Sequence, residues 1–242
     1  MSQTRARAAV VPGKRPRGSL SREEILEAGL LIARREELTR LTMKRLAEEL
    51  GVTPMAIYRH FENKAEIIDS VLDLFVRDAA VTEHAASEDP EDWRRWMILT
   101  FGRMFSALVE TPGVMPFLST ASRFGPAAMA ALDAILGVLR RAGMSERQAV
   151  DTFAVMCAYT IGAAGLASAW RAGEGASDPD EGLRRMRLTI ESAPRPDFPN
   201  VVDAAADLAR ILQSFPFERG LELLIRRELP DSSGVSRGTA GT

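Results

Sequence analysis

Hydroxyl-bearing and cationic side chains lie close together between residues 42 and 64, where they could bind a polyanion. Tyr58, Arg59 and His60 follow one another on a predicted helix that is too short to be stable alone. Lys64 stands at the start of the next predicted helix, where the helix dipole disfavours a cation and an external anion is therefore a sensible partner. A short helix that a scaffold holds, with polar and small residues facing outward, is typical of a helix-turn-helix recognition helix.

The first helix of this pair and the turn after it can be read from the sequence. Thr42 is a predicted N-cap. The apolar residues that follow it have helical spacing, and they are Met43, Leu46, Ala47 and Leu50. Gly51 ends the helix, because glycine accepts the left-handed conformation that a C-terminal turn needs.

The second helix is predicted from Pro54 to His60. Thr53 is a second N-cap, and proline is favoured at the first helical position because its missing N–H group is not needed there. Ile57 and Phe61 are four residues apart and give the helix one buried side. The residues that remain outward-facing are Met55, Ala56, Tyr58, Arg59 and His60.

Residues from about Leu20 to Phe75 resemble the DNA-binding part of the tetracycline-repressor (TetR/AcrR) family of bacterial transcription regulators. The resemblance rests on Leu-Ala-x-x-Leu-Gly-Val at Leu46–Val52, on Ile-Tyr-x-His-Phe at Ile57–Phe61 and on the Asn63-Lys64 step. The alternative is an ordinary helical hairpin with a tyrosine and a histidine on its surface. The resemblance implies a dimer on a palindromic double-stranded DNA operator, repression as the usual mode, and a small-molecule effector.

The resemblance also implies which residues contact DNA. The two helix N-termini and three further side chains would bind phosphates, and Lys44 would reach a base. The groove-facing start of the second helix carries only proline, methionine and alanine, whereas other members have Gln or Arg there. Base readout would then lean on Lys44, Arg59 and the N-terminal arm. The predicted contact residues are Thr42, Lys44, Thr53, Pro54, Met55, Ala56, Tyr58, Arg59, His60 and Lys64.

The charge distribution agrees with a local phosphate-binding surface. The net charge is −2, but residues 1–66 carry 13 Lys and Arg against 9 Asp and Glu, whereas the remainder carries 18 against 24. A basic arm without acidic residues, predicted to be disordered, covers residues 1–20. Such an arm could also reach phosphates or a minor groove.

The predicted fold is all-α, with an N-terminal helix-turn-helix domain and a larger helical ligand-binding and dimerisation domain. Ser21 and Glu24 predict a capping box for the first helix, with Arg34 and Arg35 in its last turn, and Asn63 and Glu66 predict another.

The predicted parts are an arm (1–20), the helix-turn-helix domain (21–66), a connecting helix (67–81), the larger domain (82–230) and a disordered tail (231–242). Further helices are predicted at 93–109, 114–123, 126–141, 145–171, 181–192, 200–213 and 216–228, with a polar linker at 82–92 and a flexible loop at 173–180.

The larger domain has two predicted tasks. Small residues between Gly162 and Ser168 allow close helix approach, so helices 145–170 and 216–228 are predicted to form a four-helix bundle with a second subunit; packing within one monomer is the alternative. A pocket for a hydrophobic effector is the second task, since Met and Phe side chains suit adaptable cavities. The candidate lining residues, any of which could be plain core, are Trp96, Phe101, Met104, Phe105, Leu108, Met115, Phe117, Met129, Leu132, Leu136, Phe153 and Met156.

Other functions are disfavoured. The two histidines, His60 and His84, have no metal-ligand neighbours at a useful spacing, and no catalytic triad or carboxylate pair stands out, so neither a metal, a cofactor nor an enzyme is predicted. The single Cys157 suits a reducing cytoplasm. The sequence shows neither an uncharged run of about eighteen apolar residues nor a secretion signal, so no membrane span is expected. The alternative function is a small-molecule-binding or interaction protein of the same fold with little specific DNA binding.

Overall fold

The computed structural model describes residues 20–80, 82, 92–118, 125–173, 179–213 and 216–227. Over that part of the chain it has twelve α-helices and no strands, which confirms the all-α prediction. They are α1 (Arg22–Ala33), α2 (Met43–Leu50), α3 (Pro54–Tyr58), α4 (Lys64–Asp78), α5 (Trp93–Glu110), α6 (Met115–Leu118), α7 (Pro126–Arg141), α8 (Glu146–Gly173), α9 (Pro179–Glu191), α10 (Pro199–Asp203), α11 (Ala205–Gln213) and α12 (Phe217–Arg227). Short 3-10 helices span Leu38–Arg40 and Pro112–Val114.

Several sequence predictions lie outside the described residues. They are the arm up to residue 19, residues 83–91 of the linker, residues 119–123, the loop residues 174–178 and the C-terminal tail.

The helix starts follow from the capping residues that the sequence shows. Ser21 Oγ accepts a hydrogen bond from the Glu24 N–H at 3.1 Å, and Glu24 Oε2 accepts one from the Ser21 N–H at 2.9 Å. Ser145 and Gln148 exchange the same pair of bonds at the start of α8. Each pair satisfies backbone donors that a helix start leaves free.

Two details of the predicted helices are wrong. α1 ends at Ala33, so Arg34 is its C-cap and Arg35 follows the helix. The predicted helix 200–213 is two helices, because Ala204 leaves the helical region (φ −94°, ψ 8°) and separates α10 from α11.

The N-terminal domain, α1–α4, is built around one apolar cluster that contains Ile32, Leu46, Ile57 and Phe61, all buried. α1 and α4 cross closely at Gly29, where an added Cβ would lie 2.7 Å from Val71 Cγ2. Only a glycine at this position allows that approach, so α1 and α4 pack as one block.

The C-terminal domain, α5–α12, shares part of this core. Leu108, Val109, Val114 and Ala164 are buried in the cluster of the N-terminal domain. One close approach between the domains is at Gly113, where an added Cβ would lie 2.2 Å from the carbonyl oxygen of Glu36. The two domains are therefore packed against each other and not only joined by α4.

α8 is long and apolar, yet much of it is uncovered. Residues 146–170 are long and apolar enough to cross a membrane by length and composition, a test that core helices of soluble proteins also pass, and 28% of the most apolar window is buried. Small exposed residues recur along α8 at Ala154, Ala158, Gly162 and Ala169, and the half-buried Gly165 lies between the last two. The exposed side therefore has the small residues that close helix packing needs.

Candidate nucleic-acid interface

α2 and α3 are joined by the tight turn that the sequence predicts. Thr42 Oγ1 accepts a hydrogen bond from the Arg45 N–H at 3.0 Å and caps α2. Gly51 has the left-handed conformation (φ 65°, ψ 33°), and its N–H group bonds back to the carbonyls at the end of α2. These two local signals fix the direction in which the chain enters α3.

α3 ends two residues earlier than predicted, at Tyr58, with Arg59 as its C-cap. Thr53 has the extended backbone of an N-cap, but its side chain forms no capping hydrogen bond. Its exposed hydroxyl is therefore available to an external acceptor such as a phosphate oxygen.

The predicted DNA-contact residues share one property: none of the ten is buried. Met55 has 66% and Tyr58 49% of its surface exposed. Thr42, Lys44, Thr53, Pro54 and Arg59 are also exposed, whereas Ala56, His60 and Lys64 are half-buried. Ile57, which lies among them in sequence, is completely buried, and so α3 presents these side chains outward as the sequence predicts.

Arg22 fixes the end of α3, a function that sequence reasoning missed. Its guanidinium lies 3.9 Å from the centroid of the Phe61 ring and donates to the His60 carbonyl at 2.7 Å and to Glu66 Oε1 at 2.8 Å. Arg22 thus joins α1, the end of α3 and α4. The available signal was its position in the first turn of α1, where a cation is unfavourable unless it has a partner.

Glu66 completes this link and departs from its predicted capping role. Asn63 Oδ1 accepts from the Glu66 N–H at 2.9 Å, but the Glu66 carboxylate binds Arg22 and the Glu62 N–H instead of the N-cap backbone. The Arg22 hydrogen bond and then the Glu62 N–H lower the pKa of Glu66. These contacts therefore favour the ionised form of Glu66.

Lys64 and Lys44 have partners of their own. Lys64 Nζ donates to the Thr39 carbonyl at 2.8 Å, so the unfavourable position at the start of α4 is partly compensated inside the protein. Lys44 lies 3.9 Å from Glu48 on the same helix, with both side chains mostly exposed. An ion pair so exposed contributes little, and a phosphate or a guanine could replace the carboxylate.

Arg45 holds α2 from the opposite side. It bonds Glu36 Oε1 at 3.0 Å and Glu49 Oε2 at 2.9 Å, and Arg35 lies 3.5 Å from Glu49. The hydrogen bonds to Glu49 and Glu36 raise the pKa of Arg45. Together with Arg22, this group leaves the α2–α3 unit with few ways to move independently of α1.

The predicted pocket residues fall into three classes. Trp96, Phe101, Leu108 and Met156 are packed in the apolar cores and are buried. Met129 has 53% of its surface exposed. The half-buried residues are Met104, Phe105, Met115, Phe117, Leu132, Leu136 and Phe153.

Two of these half-buried residues line cavities. Phe105 borders a cavity of about 1070 Å³ between the domains, and Met115 borders one of about 550 Å³. The packed cores therefore contain residues that the sequence could not distinguish from pocket lining.

The described side chains offer little for metal binding or for thiol chemistry. Among the described side chains, no group of three or more His, Cys, Asp or Glu is placed to hold a metal ion. Burial raises the pKa of Cys157 to about 11, so its thiol is protonated and unreactive at neutral pH.

Family models of the tetracycline-repressor type match both domains of the chain. The family model "Bacterial regulatory proteins, tetR family" matches residues 25–71. The model "Tetracyclin repressor-like, C-terminal domain" matches residues 86–226. The second match alone spans more than half of the chain.

Two proteins similar to this chain are repressors by name. The HTH-type transcriptional repressor DrrR1 of Streptomyces coeruleorubidus is 28% identical over 63% of this chain, and the match spans only 56% of the repressor. The class A tetracycline repressor protein from transposon 1721 of Escherichia coli is 28% identical over 83% of this chain and 87% of its own length.

Solved structures show the same fold. ActR of Streptomyces coelicolor, solved without ligand, superposes with a TM-score of 0.72 at 21% identity, over 88% of this chain and 96% of ActR. The transcriptional regulator SCO7222, a TetR from the same organism, gives 0.69 at 26% identity, over 86% and 97%. The chain belongs to the tetracycline-repressor (TetR) family of bacterial regulatory proteins.

Proposed function

We propose that this protein is a cytoplasmic, ligand-responsive transcriptional repressor that binds a palindromic operator as a homodimer and is released by a hydrophobic small molecule. The observation that carries the proposal is the outward face of the α2–α3 unit, in which Arg22 links the end of α3 to α1 and α4, and Arg45 links α2 to Glu36. Repression is the mode in the names of the Streptomyces coeruleorubidus and Escherichia coli relatives. Members of the family are regulators, so no enzymatic activity is proposed.

The proposed phosphate contacts come from hydroxyls, a ring nitrogen and a cation. Within the described part of the chain, the hydroxyls of Thr53 and Tyr58 have no hydrogen-bond partner, and both residues are exposed. Thr42, His60 and Lys64 complete this group. Such contacts set the register of the protein on DNA without reading its sequence.

Base readout is proposed to depend on few groups. Lys44 can donate to a guanine acceptor and Arg59 can share in the reading, together with the basic arm. Pro54, Met55 and Ala56 can contact a thymine methyl group but cannot form bidentate hydrogen bonds. Specificity should therefore be sensitive to Lys44.

The dimer is proposed to form through α8 and α12. The exposed small residues of α8 allow close helix approach, and α12 adds Leu223, which is more than half exposed. A single α2–α3 unit neutralises few phosphates, so two units on a palindrome, about one helical turn apart, would supply the affinity.

Release by ligand is proposed as a two-state shift. A ligand that binds more tightly to a conformation with misplaced α3 helices lowers operator affinity by that difference in affinity. ActR has been solved with actinorhodin and with (S)-DNPA, and a TetR of Acinetobacter baumannii with minocycline. These relatives support a small-molecule effector for this chain too.

A second candidate is a small-molecule-binding or interaction protein with little specific DNA binding. The apolar start of α3 favours it, because Met55 is 66% exposed there and cannot hydrogen-bond a base edge.

A footprint on the upstream region of the gene tests both candidates. The repressor proposal predicts one protected palindrome. Salt-dependent binding to any DNA, without a protected site, would support the second candidate instead.

A further inference from the structure

A cavity lies between the two domains. It is called the junction cavity here, and it has a volume of about 1070 Å³. Its walls are the C-terminal ends of α1 and α4, the outer face of α5 and the start of α12. Ligand pockets in proteins typically have volumes of about 300–1,000 Å³, so this one is large enough for a molecule with several rings.

The apolar part of the wall is aromatic and held in place. Phe105 and Phe217 stack with ring centroids 4.2 Å apart, and Tyr159 stacks on Phe217 from behind at 5.4 Å. The Tyr159 hydroxyl also donates to the Phe217 carbonyl at 3.1 Å. Phe75 adds a third ring to the lining from α4. Phe217 lies between the other two stacked rings, so a planar apolar ligand would meet the edge of this stack and the ring of Phe75, which are already held in place.

The rim carries charges of both signs. Arg34 and Arg103 pair with no carboxylate among the described side chains, so their remaining guanidinium donors are available. Asp78, Glu110 and Glu218 also border the cavity, which disfavours a ligand with two or more negative charges. One anionic group on an aromatic body suits this rim best.

Arg103 links the cavity to the DNA-binding domain. Its Nη1 donates to the Ala80 carbonyl at 2.7 Å, across the gap between α5 and the end of α4. Ala80 has a positive φ of 48°, which is unfavourable for a residue with a Cβ and needs outside support. An anion that takes the Arg103 donors would remove that support and free the end of α4.

We propose that the junction cavity is the effector site, that it takes an amphipathic molecule with an aromatic body and one anionic group, and that this group displaces the Ala80 carbonyl from Arg103. The proposal rests on the ligand-responsive function above. The effector would then bind in a site that contacts α1 and α4 directly, and not among the buried Met and Phe residues of the C-terminal core. Loss of the hydrogen bond between Arg103 and the Ala80 carbonyl would be the physical event that starts the two-state shift.

Anilinonaphthalenesulfonate is a suitable probe, because it combines aromatic rings with a single anionic group and fluoresces when bound. The full-length protein is titrated with it, alongside variants that change the cavity. Arg103→Met removes the cation from an exposed position. Gly102→Leu fills the cavity, since an added Cβ at Gly102 meets nothing within 4 Å. Arg95→Met, on the same helix but away from the cavity lining, and Gly102→Ala are the matched controls.

Arg103→Met should weaken probe binding about tenfold, as expected for a lost charged hydrogen bond, and Gly102→Leu should weaken it at least as much. Both controls should bind the probe like the wild type. The proposed site would be wrong if the wild-type protein did not bind the probe, or if Arg103→Met bound it with undiminished affinity.

The same samples, mixed with operator DNA, separate the two proposals. Release of DNA by the probe in the wild type supports the switch. Arg103→Met lacks the support for Ala80 and should therefore bind the operator more weakly even without the probe. Probe binding at the cavity without any effect on a stable DNA complex overturns the switch. Failure of every sample to bind a specific DNA contradicts the proposed function, while the fluorescence titration still decides the site.

Discussion

Asp73 on α4 accepts a hydrogen bond from the N–H of Ala127, in the first turn of α7, at 2.8 Å. The Ala128 N–H donates to the same oxygen at 3.3 Å. A carboxylate from the N-terminal domain therefore satisfies free backbone donors at a helix start of the C-terminal domain, where it also complements the helix dipole. Asp73 therefore holds α4 and α7 together.

Gly125→Ala tests this contact. An added Cβ would lie 2.2 Å from Asp73 Oδ1 and 2.7 Å from Asp73 Cβ, so α7 must move away from α4. Overpacking of this kind should reduce the free energy of unfolding by about 1–3 kcal/mol, measured by urea denaturation. Gly137→Ala on the same helix is the control, because its nearest neighbour is the flexible end of Arg141 at 3.3 Å. Equal stability of the two variants would contradict the close contact.

Arg22→Met tests whether Arg22 positions α3. Loss of the bonds to His60 and Glu66 should loosen the end of α3 and weaken operator binding about tenfold, measured by fluorescence anisotropy. The slope of affinity against salt concentration should stay unchanged, because no phosphate contact is removed. Lys64→Met is the comparison, and it should make the slope shallower. A shallower slope for Arg22→Met would mean that Arg22 contacts DNA itself.

Cys157 should be inert in the folded protein. Partial burial raises the pKa of this thiol to about 11, so the thiolate is scarce at pH 8. Native protein at pH 8 should react with a disulfide reagent at least about a hundredfold more slowly than urea-unfolded protein. The rate should rise between pH 8 and 10 as the thiolate forms. Fast labelling of native protein at pH 8 would contradict the burial of Cys157.

Gly162→Arg tests the proposed dimer face. Gly162 is exposed on α8 and an added Cβ meets nothing within 4 Å, so one subunit can accept the substitution. Two arginines facing each other across a close helix contact should instead convert the dimer to monomers, measured by light scattering. Ala130→Arg, at another small exposed helix residue, is the control and should remain dimeric. A dimeric Gly162→Arg variant would remove this face from the interface.

Local signals explain what the sequence predicted well. Thr42, Gly51 and Pro54 act within a few residues of themselves, and the α2–turn–α3 unit forms as expected from them. The break at Ala204 has no comparable Gly or Pro signal, so α10 and α11 were predicted as one helix. The Arg22 contacts join residues about forty positions apart, and such contacts follow from packing that a single sequence does not encode locally.

The pocket was harder to predict for a physical reason. Phe101 and Phe105 lie on the same helix with the same residue type, but Phe101 is completely buried and Phe105 borders the junction cavity. Helical periodicity indicates which side of α5 faces inward. It does not indicate where the facing helices leave a gap.

The central claim is specific operator binding by the exposed face of α3, and an anisotropy titration tests it most directly. Wild-type protein is titrated against the palindrome from its own upstream region and against random DNA of equal length, next to Tyr58→Ala and Tyr58→Phe. We expect the wild type to prefer the palindrome about a thousandfold. If the Tyr58 hydroxyl contacts a phosphate, both variants should bind the palindrome about tenfold more weakly. Equal wild-type affinity for the two DNAs, or undiminished operator binding by Tyr58→Ala, would contradict the central claim.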